Sequence, residues 1–95
     1  MRQHIPVALR VDVGVASSRK ELHRLLAAAF QFPDYYGHNW DTFDECIRDV
    51  ELAARVEIVG FVALRARLPR EAELLQRGIT DFVSESHHDI TIRMA

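Results

Sequence analysis

The chain has 95 residues, of which 48 % are hydrophobic and 27 % are charged, and its formal net charge is −2. This size and composition predict one compact domain over residues 1–95. No apolar run reaches the roughly 18 residues of a membrane span, and the charged N-terminal stretch "MRQHIPVALRVDVG" is unlike a signal peptide. Because Cys46 is the only cysteine, an internal disulfide is excluded and a cytoplasmic location is expected.

The first elements along the chain are predicted to be a strand and a helix. In residues 5–11 every second side chain is a large apolar one, namely Ile5, Val7, Leu9 and Val11, which is typical of a strand. Ser18 followed three residues later by Glu21 forms a capping-box pattern, and apolar side chains then recur at helical spacing. A helix is therefore expected from about 19 to 30.

A second helix is predicted after a short turn. Pro33 ends the first helix, and Gly37 offers a permissive backbone for the turn. Asn39 is a favourable N-cap residue, so the second helix should cover about 40–51.

The second half of the chain is predicted to hold two more strands around a long helix. Residues 55–62 are β-branched and mostly apolar, as in a parallel strand buried on both faces. A short helical turn then leads to a helix over about 70–85, with Pro69 in its first turn and Gly78 as a destabilising interior residue. The inward side chains of this helix are predicted to be Leu74, Leu75, Ile79, Phe82 and Val83. The C-terminal strand contains Ile90, Ile92 and Met94 on one side.

This order of elements, β-α-α-β-α-β, requires crossover connections between strands. It predicts an α/β fold, a small three-layer-like sandwich with a three-stranded parallel sheet and three to four helices.

The second helix is predicted to have one apolar and one acidic face. The apolar stripe consists of Trp40, Phe43, Ile47 and Val50, with Cys46 at its edge. The opposite stripe consists of Asp41, Asp44, Glu45 and Arg48. Between residues 34 and 51, six acidic residues and one basic residue give a local charge of −5, so the rest of the chain carries +3. Such a focused negative patch repels phosphate backbones and attracts cationic proteins.

From the residues alone, three interpretations of the acidic stripe stay open. It can be a solvated helix face, a pair of carboxylates for general acid/base chemistry, or a binding surface for a cationic protein. Nucleic acid is disfavoured as a direct partner. The five histidines do not show metal-ligand spacing, and no phosphate-binding loop is present, so neither a metal nor a cofactor is expected. Cys46 is expected to be a buried structural thiol.

The segment "YYGHNWDTFDEC" resembles the barstar family, small intracellular inhibitors of secreted ribonucleases. The matching pattern is an aromatic pair, Gly, Asn, an apolar residue, Asp, and an acidic residue directly before Cys. The positions that match are Tyr35, Tyr36, Gly37, Asn39, Trp40, Asp41, Phe43, Glu45 and Cys46. The C-terminal "DITI" is similar to the last strand of the family.

The resemblance implies a non-catalytic inhibitor whose second helix and preceding loop enter the ribonuclease active site, with Glu45 in the pocket for substrate phosphate. A cation at Arg48 would then face a basic cleft unless Asp44 or Glu45 neutralises it. The partner-binding residues implied in this way are Tyr35, Tyr36, Gly37, Asn39, Asp41, Asp44, Glu45, Arg48 and, from the last helix, Glu85.

Several positions depart from the family pattern, namely Asp44, Glu45, Arg48 and Val50, and they indicate a target different from the family's best-known ribonuclease. The protein is expected to be monomeric when free. The main alternative is an adaptor of the same fold that binds a basic protein other than a nuclease. An enzyme that uses Asp41 and Glu45 is the third possibility.

Overall fold

The computed structural model describes residues 8–49, 55–85 and 91–95. Three parallel strands form one sheet in the order β1-β2-β3, and four helices accompany it, which confirms the predicted α/β class. The elements in chain order are β1 (Ala8–Asp12), a 3₁₀ turn (Val13–Val15), α1 (Arg19–Phe30), α2 (Trp40–Asp49), β2 (Arg55–Val59), α3 (Phe61–Arg67), α4 (Pro69–Glu85) and β3 (Thr91–Met94). The predicted positions 5–7, Val50, Glu51 and Ile90 lie outside the described residues.

Helix α1 begins and ends where the sequence predicted. The Ser18 hydroxyl accepts a hydrogen bond from the Glu21 backbone N–H at 3.1 Å, which satisfies one of the unpaired donors of the first turn. The Glu21 carboxylate accepts from the hydroxyl of Ser17 at 2.8 Å. The helix ends at Phe30, because Gln31 adopts a left-handed conformation with φ 57°.

Strand β2 is shorter than predicted, since it ends at Val59 and the following residues belong to α3. Gly60 separates the two elements and has φ 76°, a conformation that stops the strand. A Cβ atom at Gly60 would also lie 2.7 Å from the backbone nitrogen of Gly14. The strand therefore ends at a position where both the backbone conformation and the close approach of Gly14 require a glycine. The apolar residues Phe61 and Val62 had predicted that the strand continues.

Helix α4 contains a glycine because another helix crosses it closely. A Cβ atom at Gly78 would lie 3.1 Å from Cε1 of Phe43 in α2. The helix-propensity penalty of Gly78, about 1 kcal/mol, is thus offset by the close packing of α2 on α4. Leu75 and Ile79 are buried as predicted, but the inward position predicted for Val83 is wrong because this side chain is 40 % exposed.

The core lies on one face of the sheet. On β2, Val56 and Ile58 are fully buried, whereas Arg55 is exposed and Glu57 is partly exposed on the other face. The predicted burial of this strand on both faces is therefore wrong. Arg10 of β1 forms an ion pair with Glu57 at 3.5 Å on the open face. The core itself consists of Val11, Val13, Ala16, Leu22, Leu26, Phe30, Phe32, Tyr36, Phe43, Cys46, Ile47, Val56, Ile58, Phe61, Leu64, Ala72, Leu75 and Ile79.

Candidate protein-binding site

The loop before α2 is closed by side-chain hydrogen bonds at the start of the helix. The Asn39 side-chain oxygen accepts from both the backbone N–H and the hydroxyl of Thr42, each at 2.8 Å, which confirms the predicted N-cap. Gly37 does not have a positive φ; instead His38 adopts the left-handed conformation with φ 55°. A Cβ atom at Gly37 would lie 2.9 Å from Nδ2 of Asn39, so this glycine provides space and not an unusual φ.

The two tyrosines of the loop have different environments. The side chain of Tyr35 is 69 % exposed, whereas Tyr36 is 5 % exposed and belongs to the core. The hydroxyl oxygen of Tyr36 lies 2.5 Å from Nδ1 of His23, and burial raises the pKa of Tyr36 above its usual value. Tyr36 therefore anchors the loop from inside, whereas Tyr35 is the exposed aromatic side chain of the loop.

His23 of α1 is fully buried beneath this loop. Its ring centroid lies 4.5 Å from that of Trp40, and its Nε2 atom has no hydrogen-bond partner among the described residues. Burial lowers the pKa of His23 to about 4, the nearby charge of Arg19 acts in the same direction, and Glu71 opposes them. The imidazole is therefore neutral at pH 7, and the Tyr36 hydroxyl, which keeps its proton, can donate to Nδ1.

Trp40 connects the start of α2 to α4. Its indole N–H donates a hydrogen bond to the carboxylate of Glu71 at 2.7 Å. The indole ring also packs against Phe43, with 5.3 Å between the ring centroids. This arrangement fixes the first turn of α2, and with it the position of Asp41.

The outer face of α2 presents carboxylates, as predicted from the two-sided pattern. Asp41 and Glu45 are exposed, while the helix buries its apolar side chains against the core. Within the described part of the chain, neither carboxylate has a hydrogen bond or ion pair. We use the name acidic surface for these residues together with their acidic neighbours on α2 and α4, which are Asp44, Asp81 and Glu85.

Asp44 occupies the junction of α2 and α4 and is partly buried. A Cβ atom at Gly78 would lie 3.2 Å from its Oδ1 atom. Burial raises the pKa of Asp44; Arg48 opposes this shift, and the negative charges of Asp81, Asp41 and Glu85 reinforce it. Carboxylates from two helices are thus close enough to repel one another.

The guanidinium of Arg48 forms its ion pair with a carboxylate of α4 and not with a carboxylate of its own helix, α2. Its guanidinium lies 2.5 Å from the carboxylate of Glu85 and donates a further hydrogen bond to the backbone carbonyl of Asp44 at 3.3 Å. Among the described residues, no ion pair joins Arg48 to the carboxylate of Asp44 or Glu45. The ion-pair partner of Arg48 is therefore Glu85 of α4 and not either of the two carboxylates on its own helix.

Sequence reasoning missed His23 and Asp81 as parts of this site. A signal for His23 was present, because it precedes Leu26 by three residues and Phe30 by seven and so lies on the buried stripe of α1. Asp81 gave no local signal, because its proximity to Asp44 depends on how α4 packs against α2.

Three further features of residues 8–49, 55–85 and 91–95 concern other kinds of site. In these ranges, no three His, Cys, Asp or Glu side chains are placed to hold a metal ion. No helix there has the length and apolar character needed to cross a membrane. An open groove of about 390 Å³ lies between α3 and α4, and its lining includes none of the predicted partner-binding residues. The groove is lined by Phe61, Arg65, Pro69, Glu73 and Gln76.

The comparison with known families agrees with this geometry. No curated protein matches the chain. Residues 7–94, nearly the whole chain, match the family described as Barstar (barnase inhibitor). The matched residues include all three strands and the capped helix α2. The chain therefore belongs to the barstar family, a family of barnase-inhibitor-like proteins.

Proposed function

We propose that this protein is a non-catalytic inhibitor that blocks the active site of a ribonuclease. In this proposal the acidic surface enters the basic cleft in which the ribonuclease binds the phosphates of RNA. The immediate support is that Asp41 and Glu45 are exposed on a rigid, capped helix and have no ionic partner among the described residues. Membership of a family of barnase-inhibitor-like proteins supports the same conclusion.

The chemistry of such a complex follows from the cleft it would occupy. A ribonuclease gathers cationic groups around a phosphate, and carboxylates held at similar positions form charge-assisted hydrogen bonds with the same groups. The two helices carry five carboxylates and one guanidinium in this region, so the field of the surface steers a basic partner toward it. Tyr35 adds an exposed aromatic ring in the loop that leads into α2.

We assign the direct contacts to Tyr35, Asp41 and Glu45 and supporting roles to the buried or capping residues of the loop. Tyr36 and Asn39 hold the loop through internal hydrogen bonds. Glu45 is one methylene longer than an aspartate, so its carboxylate extends further from the helix. This difference favours a ribonuclease cleft that is deeper or wider than that of barnase.

The test is an RNA-cleavage assay with small basic ribonucleases, including barnase, titrated with the wild-type protein and with Asp41→Ala and Glu45→Ala. Each substitution should weaken inhibition by at least about tenfold, because truncation of one partner of a buried charge pair costs 2 kcal/mol or more. Glu73→Ala is the matched control, since it removes a carboxylate from α4 outside the acidic surface. It should leave inhibition unchanged.

Equal inhibition by the wild type, Asp41→Ala and Glu45→Ala would refute the assignment of the site. If no ribonuclease is inhibited, yet a basic protein without nuclease activity binds and loses affinity with the same substitutions, the adaptor function replaces the proposed one. Cleavage of RNA by the protein itself would contradict the non-catalytic assignment.

A further inference from the structure

Arg48 lies beside the acidic surface, and carboxylates of both α2 and α4 compete for an ion pair with its guanidinium. On a helix, residues three and four apart lie side by side, so Glu45 and Asp44 are both within reach of Arg48. The structure instead pairs the guanidinium with Glu85, 37 residues further along the chain. The bond to the Asp44 carbonyl uses a second guanidinium nitrogen and leaves the Asp44 carboxylate without an ion pair to Arg48.

This choice of partner has a consequence for charge on the outer face of α2. If Arg48 paired with Glu45, one of the two exposed carboxylates of the helix would be neutralised. Because Glu85 holds the guanidinium, Glu45 keeps its full negative charge. The ion pair neutralises the charge of Glu85 instead. The loss of negative charge therefore falls at the end of α4 and not on α2.

We propose that Glu85 is a positioning residue that holds Arg48 away from Glu45, and that Arg48 in this position determines which ribonucleases the surface accepts. The proposal rests on the ribonuclease-inhibitor function proposed above. It assigns to Glu85 an indirect role, since Glu85 acts on the partner through Arg48.

The proposal also defines the chemistry of the preferred partner. The guanidinium of Arg48 has five N–H donors in a fixed plane, and its side chain is 45 % exposed while two of its nitrogens are bonded within the protein. A partner with a carboxylate or another acceptor opposite Arg48 satisfies the remaining donors. A partner that is uniformly basic there meets a like charge and is rejected.

The first experiment measures the position of Arg48 without any partner. In the wild-type protein, nuclear Overhauser contacts should join the Arg48 Hδ protons to the Hγ protons of Glu85. In Glu85→Ala they should be replaced by contacts to the Hγ protons of Glu45. If no contacts to Glu45 appear in Glu85→Ala, the positioning role is overturned, whatever the ribonuclease experiments show.

The second experiment uses barnase as a probe of known identity and measures binding of the wild type, Arg48→Gln, Glu85→Ala and the double variant. Against this basic ribonuclease, Arg48→Gln should bind about tenfold more tightly and Glu85→Ala at least about fivefold more weakly. In the Arg48→Gln background, Glu85→Ala should have only the small effect of Glu73→Ala. Glu73 is the matched control because it also pairs with an arginine on exposed α4.

The outcomes separate the two proposals. An equal loss from Glu85→Ala in both backgrounds shows direct contact with the ribonuclease and overturns the positioning role. If Arg48→Gln does not improve binding, or no variant binds barnase, the selectivity assigned to Arg48 is overturned. The inhibitor function itself fails on a different result, the absence of inhibition of any ribonuclease by the wild-type protein.

Discussion

Lowering the pH from 7 to 5 should destabilise this domain, chiefly through the protonation of His23 in the unfolded chain. The folded protein buries this imidazole completely, next to Trp40, and offers its Nε2 atom no acceptor among the described residues. A protonated ring would place a positive charge in this environment while its Nε2–H donor stays unpaired. The folded state therefore resists protonation, whereas the unfolded state accepts it freely.

The magnitude follows from the shift in pKa. The pKa of His23 is 6.5 in the absence of structure and about 4 in the folded protein. The unfolded state binds more protons between these values, so the stability contributed by the neutral ring is complete above pH 6.5 and is lost as the pH falls toward 4. At 1.36 kcal/mol for each unit, the total loss is about 3 kcal/mol, and about 2 kcal/mol of it falls between pH 7 and pH 5.

Urea unfolding followed by fluorescence is a direct assay, because Trp40 is the only tryptophan of the chain and contacts the His23 ring. The free energy of unfolding should fall by about 2 kcal/mol between pH 7 and 5 in the wild type. His23→Gln should be less stable at pH 7 but should lack most of this decrease. His38→Gln is the control and should retain most of this decrease, because the charge of His38 is only the smallest of the causes that shift the pKa of His23. An equal pH dependence of the wild type and His23→Gln would refute the reasoning.

Four further substitutions test the packing around the site in the same unfolding assay. Asn39→Ala removes the cap of α2 and should lower the free energy of unfolding by about 1 kcal/mol; an unchanged value would contradict the capping role. Gly60→Ala forces a Cβ atom into a left-handed residue against the backbone of another turn and should cost at least ~2 kcal/mol, so a smaller loss would argue against this contact. Arg48→Gln should change stability by less than ~1 kcal/mol, since its ion pair is exposed, and a larger loss would indicate a structural role. Asp44→Asn should stabilise the protein at pH 7 by removing a partly buried charge among carboxylates; destabilisation would contradict this view.

The parts of the fold that sequence reasoning predicted correctly are those specified by nearby residues. The bounds of α1 follow from the cap at Ser18 and from apolar residues at helical spacing, and the start of α2 follows from Asn39. The end of β2 could not be found in this way. It depends on the approach of Gly60 to Gly14, two residues that are far apart in the sequence.

In the candidate site, too, the sequence predicts the features that depend on nearby residues and not those that depend on helix packing. The acidic face of α2 is a local pattern, and the structure exposes Asp41 and Glu45 as expected. The partner of Arg48 is not local, because it is selected by the packing of α4 on α2 through Gly78. For the same reason Gly78, which looks like a defect in a helix when only the sequence is considered, is a requirement of the tertiary structure.

The open face of the sheet has a consequence for solubility. A small parallel sheet with an uncovered face can stack on the sheet of another molecule, and its outer strands can template the pairing of further chains. Among the described residues, the face away from the core carries Arg10, Arg55 and Arg93, and Glu57 lies between Arg10 and Arg93 in register. Burying these guanidinium groups between two stacked sheets would strip them of water at a high energetic cost. The charged face therefore disfavours the stacking of two molecules through their sheets.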